Sequence, residues 1–376
     1  MYVKSLKLVN FRNYSSLRAE LSPHLNVIVG ENAQGKTNVL EAIFLCTFAR
    51  SHRTSKDEQL IKYNTEGAYV GAEVVSAAGA ALIEIKQRRG EKKRIYINST
   101  ELRRTGDLMG ALNSVMFAPE TLSIVKGAPQ ERRRFLDMAL SQLYPAYFFR
   151  LQQYNAALRQ RNALLKDEAL RTDTAHLRMW EAQVASQGAE IINRRAEFME
   201  RFSHIAARLH LAISGGREFL RTEYAPSVEP SETLEDDFRE YLARTAEDDM
   251  HRGYTSKGPH RDDIAVILDE TDVRYFGSQG QQRTAALAMK LSEIPLVSDI
   301  RGEMPILLLD DVFSELDDAR RTALISTMAK CQCIITCTSL DGLSPLGGTG
   351  GSDTRIFRCV DGTLELMENS GGRRSV

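Results

Sequence analysis

Gly30-Glu31-Asn32-Ala33-Gln34-Gly35-Lys36-Thr37 follows the apolar run Leu25-Asn26-Val27-Ile28-Val29 and opens a helical pattern that begins Asn38-Val39-Leu40. Strand, glycine turn and helix, in that order, form a cradle for a nucleotide phosphate. The glycines let consecutive backbone N–H groups converge on phosphate oxygens, and the helix N-terminus adds positive potential. The pattern assigns Lys36 to the β/γ oxygens and the Thr37 hydroxyl to Mg²⁺, and makes ATP or GTP the first expectation.

Working outward, Pro305-Ile306-Leu307-Leu308-Leu309-Asp310-Asp311 reads as a buried parallel strand ending in two carboxylates, the form in which a sheet delivers a Mg²⁺ ligand to its carboxyl edge. Asp310 is expected to face the metal and Asp311 to polarise an attacking water. An Asp is one methylene shorter than the Glu usual at that place, so hydrolysis is expected to be slow, suited to a switch rather than a motor. Alone, the Asp pair could equally be a helix start after a core strand; the octet upstream favours the nucleotide site. Between the two motifs lies Phe276-Gly277-Ser278-Gln279-Gly280-Gln281-Gln282-Arg283-Thr284, a serine and glycine turn before an Ala- and Leu-rich helix. It reads either as a simple Ser N-cap or as a second anion site at a helix N-terminus. In the second case it serves the γ-phosphate held by another copy, which predicts an ATP-dependent homodimer. The order that follows, an apolar strand with Asp and then Ser314-Glu315-Leu316-Asp317, is that of ATP-binding-cassette ATPases.

With 376 residues, 43% hydrophobic and 26% charged, the chain can bury a large core and is expected to fold as two lobes. No span approaches the roughly twenty apolar residues of a membrane helix. Met1-Tyr2-Val3-Lys4-Ser5-Leu6 alternates like a strand and lacks a secretory apolar region, so a cytosolic protein is expected. The five cysteines are odd in number, and Cys331, Cys333 and Cys337 share one apolar stretch; buried thiols are expected. No histidine or second Cys pair accompanies the Cys-x-Cys at metal-ligand spacing.

A net charge of −1 rules out a uniformly basic glove for nucleic acid, so any polyanion site is local. The candidates are Lys86 with Arg88, Arg89, Lys92, Lys93 and Arg94 around a hairpin turn, then Arg103-Arg104, then Arg132-Arg133-Arg134. Such clusters also serve as ordinary solvated faces.

Residues 1–118 show short alternating strands and one helix after Lys36, the first part of an α/β lobe. From Pro119 the texture changes to long helical stretches, such as Leu151 to Lys166 and Thr174 to Ile213, with a polar break at Asp167 to Asp173. Residues 119–250 therefore read as a mainly helical arm, and 251–376 as the return to the α/β lobe. Asn369 to Val376 reads as a frayed tail.

The motifs together resemble the RecF family of bacterial recombination mediators, whose fold is similar to the head of the SMC family with a short arm. The resemblance covers nearly the whole chain: Leu8 to Tyr14, Gly30 to Ile43, Ser51-His52-Arg53-Thr54, Phe117 to Glu120, Lys126-Gly127, Arg132 to Asp137, Gly258 to Asp263, Ser278 to Thr284 and Leu307 to Asp317. It implies an α/β P-loop NTPase of ABC/SMC-head type with an inserted, mostly helical arm domain. It also implies ATP-controlled homodimerisation, binding to double-stranded DNA near gap junctions, association with RecR, promotion of RecA loading, and a weak DNA-stimulated ATPase in the DNA-damage response.

Residue by residue, the similarity places Arg12 and Asn13 near the nucleotide with Gly30 through Thr37. It makes Lys36, Asp310 and Asp311 the hydrolytic set and Thr37 with Asp310 the Mg²⁺ ligands. Ser278, Gly280 and Gln281 would act across the dimer. Where transporter ATPases carry a switch histidine, this chain has Thr336 and Thr338. A transporter ATPase subunit is the alternative, yet it calls for an LSGGQ-like signature and that histidine, and the chain has neither. A GTPase calls for an Asn-Lys-x-Asp guanine reader, and no Asn-Lys pair occurs.

Overall fold

Alternation at the start of the chain produces a half-buried strand, β1 (Tyr2–Phe11), with Val3, Leu6, Leu8 and Phe11 inward. A register shift between Val3 and Ser5 absorbs the odd step from Val3 to Leu6, so both side chains reach the core. The computed structural model describes residues 1–167, 174–340 and 354–367. Of the polar break expected at Asp167 to Asp173, all but Asp167 lies outside the described residues, as does the tail expected at Asn369 to Val376.

These residues form two compact units, one of residues 1–121, 212–214 and 287–376, the other of 122–211 and 215–286. The second unit therefore extends past Met250 and holds Ser278, Gly280 and Gln281.

In the first unit, β1 belongs to an antiparallel sheet with β2 (Tyr14–Glu20), β4 (Gly67–Ser76), β5 (Gly79–Arg88), β6 (Arg94–Ile97) and β7 (Thr100–Glu101), in the order β2-β1-β4-β5-β6-β7. The other sheet runs β15-β14-β3-β13-β12-β8. Its strands β3 (Leu25–Val29), β8 (Ser114–Phe117), β12 (Ile306–Asp310), β13 (Cys333–Cys337) and β14 (Thr354–Val360) are parallel; β15 (Thr363–Leu366) adds an antiparallel edge. Ile306 to Leu309 are fully buried, as a parallel strand covered on both faces requires.

Helix α1 (Lys36–Phe48) touches strands of both sheets. That position explains its sequence: Val39, Leu40, Ile43, Phe44, Leu45 and Phe48 bury nearly its whole circumference, where a surface helix would keep a polar stripe. Helix α10 (Asp318–Met328) follows β12 and is capped by the Asp317 carboxylate, which accepts from Arg320 N. All five cysteines are free and buried, and burial alone pushes the Cys46 thiol up to about 12.

The second unit holds helices α2 (Ser123–Lys126), α3 (Pro129–Leu143), α4 (Pro145–Lys166), most of α5 (Thr174–Ile213), α6 (Leu234–Arg244), α7 (Ala246–Arg252), α8 (Val273–Phe276) and the start of α9 (Gln279–Arg301). Ion pairs from Arg150 to Glu190 and from Arg161 to Glu181 show α4 and α5 running antiparallel. A small antiparallel sheet, β9 (Leu220–Ala225), β10 (Asp263–Leu268) and β11 (Thr271–Asp272), was not anticipated. In β9, buried Leu220 and Thr222 alternate with exposed Arg221 and Glu223.

Two fully buried arginines hold this unit together. Arg161 donates to Asp249, Thr255 and Glu181 at 2.8, 2.8 and 3.0 Å. Arg195 donates to Asp262, Asp137 and the Pro259 carbonyl at 2.8, 2.8 and 2.7 Å. Removing one partner from such a pair strands a buried charge and costs about 3–5 kcal/mol.

Candidate nucleotide site

The octet turns in two steps. Ala33 (φ 66°) and Gly35 (φ 113°) both adopt left-handed backbone, and the Gly35 geometry favours residues without a Cβ. A Cβ on Gly35 would also lie 2.6 Å from Asn13 Nδ2, and one on Gly30 would lie 2.4 Å from the Cys359 carbonyl oxygen. Glycine is therefore required at both ends of the turn by close approach. Glu31, Asn32 and Ala33 are exposed at its crest.

Lys36 is buried, and its ammonium donates to the carbonyls of Gly30 and Glu31 at 2.5 and 2.7 Å, curling over the loop it follows. Thr37 Oγ1 donates to Asp310 Oδ1 at 2.8 Å. Thus two residues 273 positions apart meet at the carboxyl end of the parallel sheet. Asp310 Oδ1 also accepts from Thr336 Oγ1 at 2.7 Å. Asp311 follows with φ 51°, and its backbone N–H donates to Thr336 O at 3.2 Å. Threonine hydroxyl and carboxylate oxygen are hard donors suited to Mg²⁺, so Thr37 and Asp310 would be able to hold that ion.

Asn13 locks the loop from the side. It donates to the Gln34 carbonyl at 2.8 Å and accepts from Asn38 at 2.8 Å. Tyr14 OH donates to the Gly35 carbonyl at 3.1 Å, and Gln34 Oε1 accepts from Asp361 N at 2.6 Å. Arg12, expected beside the nucleotide with Asn13, has its guanidinium engaged elsewhere. Its Nε and Nη2 grip the two oxygens of buried Glu41 on α1 at 2.7 and 2.6 Å.

Burial pushes the Glu41 carboxyl upward, but hydrogen bonds from Arg12 and Ser51, with the Arg12 charge, more than reverse this and leave it below its ordinary value. Burial keeps neighbouring His52, edge-on to Phe44, below the usual histidine range. Glu41 and Ser51 are neighbours of the site that sequence reasoning did not single out, and it named Thr336 only for standing in the place of a switch histidine. For Glu41 the available signal was a carboxylate within the apolar stretch Val39 to Cys46, which a buried helix rarely keeps unless it is paired.

Beside the loop a cavity of about 750 Å³ is lined by Gly30, Glu31, Gln34, Thr338, Arg358 and Asp361. Its size is that of a ligand pocket. Thr338 therefore lines the cavity, while Thr336 orients the carboxylate.

In the second unit the Ser278 turn is a reciprocal cap. Ser278 N donates to Gln281 Oε1 at 2.8 Å and Gln281 N donates to Ser278 Oγ at 3.2 Å. Gln281 Nε2 also donates to Glu218 at 3.0 Å, and Gly280 O accepts from Thr284 Oγ1 at 2.9 Å. The cap is therefore formed, and it leaves Ser278 at the surface.

A strand-turn-helix cradle, a lysine curled over it and an Asp-Thr pair at the sheet edge are the parts of a nucleotide-binding head. The family model for the RecF/RecN/SMC N-terminal domain matches residues 2–344. The DNA replication and repair protein RecF of Clostridium perfringens strain SM101 is 39% identical over 97% of this chain and 100% of its own length. The chain belongs to the RecF family. The RecF of Acetivibrio thermocellus is 43% identical over 90% of this chain and 93% of its own. Among solved structures, the recombination mediator protein RecF bound to ATP, from the RecFOR pathway, superposes with a TM-score of 0.87 at 35% identity, covering 97% of both chains. The Smc head domain of Pyrococcus furiosus matches at 0.56 with 16% identity and shares the fold alone. The expected ABC/SMC-head class is thereby shown, and the RecF matches set aside the transporter alternative. Among the described residues no helix is long and apolar enough to cross a membrane.

Proposed function

We propose that this chain is an ATP-controlled DNA-binding protein of recombinational repair and replication-fork maintenance. ATP with Mg²⁺ draws two copies together, the dimer engages double-stranded DNA near gap junctions, and with RecR it promotes RecA loading in the cytoplasm. Slow, DNA-stimulated hydrolysis resets it. The observation that carries the reading is the Thr37–Asp310 contact, which unites the phosphate loop and the carboxylate strand.

In this reading Gly30 through Thr37 cradle the phosphates and Lys36 exchanges the Gly30 and Glu31 carbonyls for phosphate oxygens. Thr37 and Asp310 would hold Mg²⁺, which when bound neutralises charge on the β- and γ-oxygens. Asp311 positions the attacking water. Asn13 fixes the loop directly, and Arg12 acts through Glu41. Ser278, Gly280 and Gln281 meet the γ-phosphate of the other copy.

Sedimentation with and without ATP and a short duplex tests this. A shift from monomer to dimer in ATP, enhanced by duplex and lost in Lys36→Ala, is expected. A protein that binds ATP tightly yet stays monomeric on duplex would overturn the reading.

A further inference from the structure

The sequence offers three basic clusters, and the fold treats them differently. In Arg132-Arg133-Arg134, Arg132 is buried and grips both oxygens of Asp263 at 2.6 and 2.9 Å, while Arg133 donates to the Asp262 carbonyl at 2.8 Å. That cluster holds its own unit together. The other two clusters converge, although separated in sequence. Lys86 on β5 lies directly opposite Arg94 on β6. The β6–β7 register, with Tyr96 opposite Glu101, continues through Leu102 N to Ile95 O at 2.8 Å and brings Arg103 level with Arg94.

Lys86, Arg94 and Arg103 therefore form one row across the outer face of the sheet, spanning roughly 10 Å at ordinary strand spacing. Arg88, two residues along β5, extends the row, and Lys92 sits in the adjoining turn. All five are exposed, while Ile83, Ile85 and Ile95 face the core from the same strands.

Like charges directly opposite each other on paired strands lower stability. Carboxylates relieve this row only in part: Glu84 accepts from Tyr69 OH at 3.0 Å, Glu101 flanks Tyr96, and Glu91 stands 3.8 Å from Arg88. Lys86 Nζ also lies 4.4 Å from the centre of the Tyr96 ring, which lets the cation sit at the surface without a carboxylate of its own. A row of cations on an exposed sheet face suits contact with backbone phosphates and carries no device for reading bases.

We infer that this outer corner of the antiparallel sheet, centred on Lys86, Arg94 and Arg103, is the surface that meets the phosphates of double-stranded DNA. The inference rests on the proposed DNA-binding function and assigns its surface. It predicts sequence-independent binding with a steep salt dependence.

The test is duplex binding over a range of salt by the full chain in ATP. Compared are the wild type, the triple variant Lys86→Gln, Arg94→Gln, Arg103→Gln, and a control triple variant, Arg159→Gln, Arg178→Gln, Arg208→Gln, at exposed positions on α4 and α5. The sheet variant should melt and bind ATP like the wild type but lose about tenfold or more in duplex affinity, with the log–log salt slope reduced by about 3. The control should change little.

A wild type that ignores duplex would overturn the proposed function itself. A wild type that binds, with the sheet variant binding equally well, would overturn only this assignment, as would equal losses in both variants. Self-association of the sheet variant without loss of DNA affinity would show instead that the charges guard an open sheet edge, and would likewise overturn it.

Discussion

Thr336 Oγ1 donates to Asp310 Oδ1 at 2.7 Å from the directly paired residue of the neighbouring parallel strand. With Thr37 as the second donor to the same oxygen, the carboxylate is aimed by two hydroxyls, one from the first turn of α1 and one from the end of β13. The position that looked like a substitute for a switch histidine is thus a positioning residue for the carboxylate.

Thr336→Val keeps the shape of the side chain and removes that donor from a buried acceptor, a change of about 1–3 kcal/mol. ATP turnover should fall about tenfold and require more Mg²⁺ for half-saturation, whereas Thr336→Ser should retain most activity. Titrating Mg²⁺ against turnover for the two variants checks this; equal profiles would contradict it.

How much of this was legible follows from how local each feature is. The octet, the β12 strand and the α5 helix are specified by neighbouring residues: glycines at the turn, apolar runs, helix formers. Glu41 with Arg12, and Asp310 with Thr336, are paired across 29 and 26 positions, so no spacing rule reveals them. The Arg132 triplet looked like surface charge because its partners, Asp262 and Asp263, stand more than a hundred residues away in sequence. The β9 strand was hidden among helices because charged residues alternate with its two inward positions.

Asp311 sits in left-handed backbone that Asn tolerates better than other L residues. Asp311→Asn should therefore fold and bind ATP normally while turnover falls by about 10² or more, the scale of a lost general base. Single-turnover hydrolysis beside equilibrium ATP binding separates the two effects. Parallel loss of binding would remove Asp311 from the chemistry.

Arg12→Ala leaves Glu41 buried without its cation. About 3 kcal/mol of stability should be lost, with the octet loosened through α1. The wild-type carboxyl titrates below its ordinary value, so its contribution is complete above the unfolded carboxylate pKa and vanishes as pH falls through the folded one. In the variant, burial instead favours the protonated acid, and stability should decline as pH rises from about 4 toward 7. Thermal melting of both proteins across that range distinguishes them: the Glu41 contribution of the wild type is flat there, whereas that of the variant declines.

His260 accepts from Tyr154 OH at Nδ1 (2.6 Å) and donates from Nε2 to the Thr255 carbonyl (3.0 Å), an assignment that follows from its partners. Burial pushes it down from 6.5 to about 4, with the Arg261 charge helping. The unfolded chain takes up this proton first as pH falls, so stability is complete above pH 6.5 and is lost progressively toward pH 4, at most about 3 kcal/mol. His260→Gln should flatten that part of the pH–stability curve. An unchanged slope would assign the acid sensitivity to other groups.

Ser278 makes two separable contributions, which different substitutions divide. As the cap of α9 it exchanges hydrogen bonds with Gln281, and Ser278→Ala should cost about 1 kcal/mol of stability. As the exposed tip of a helix N-terminus it would contact the γ-phosphate held by another copy. Ser278→Arg places a long cation there, blocks close approach of a partner, and leaves the loop at Gly30 to Thr37 untouched in the chain that carries it. The expected result is monomer ATP affinity within about twofold of wild type, no ATP-induced dimer by light scattering, and loss of cooperative turnover. Ser278→Ala, though less stable, should still dimerise, because the backbone N–H groups at the helix start remain. If Ser278→Arg weakened ATP binding and dimerisation together, the serine would be acting within its own chain, and the role across the dimer would fall.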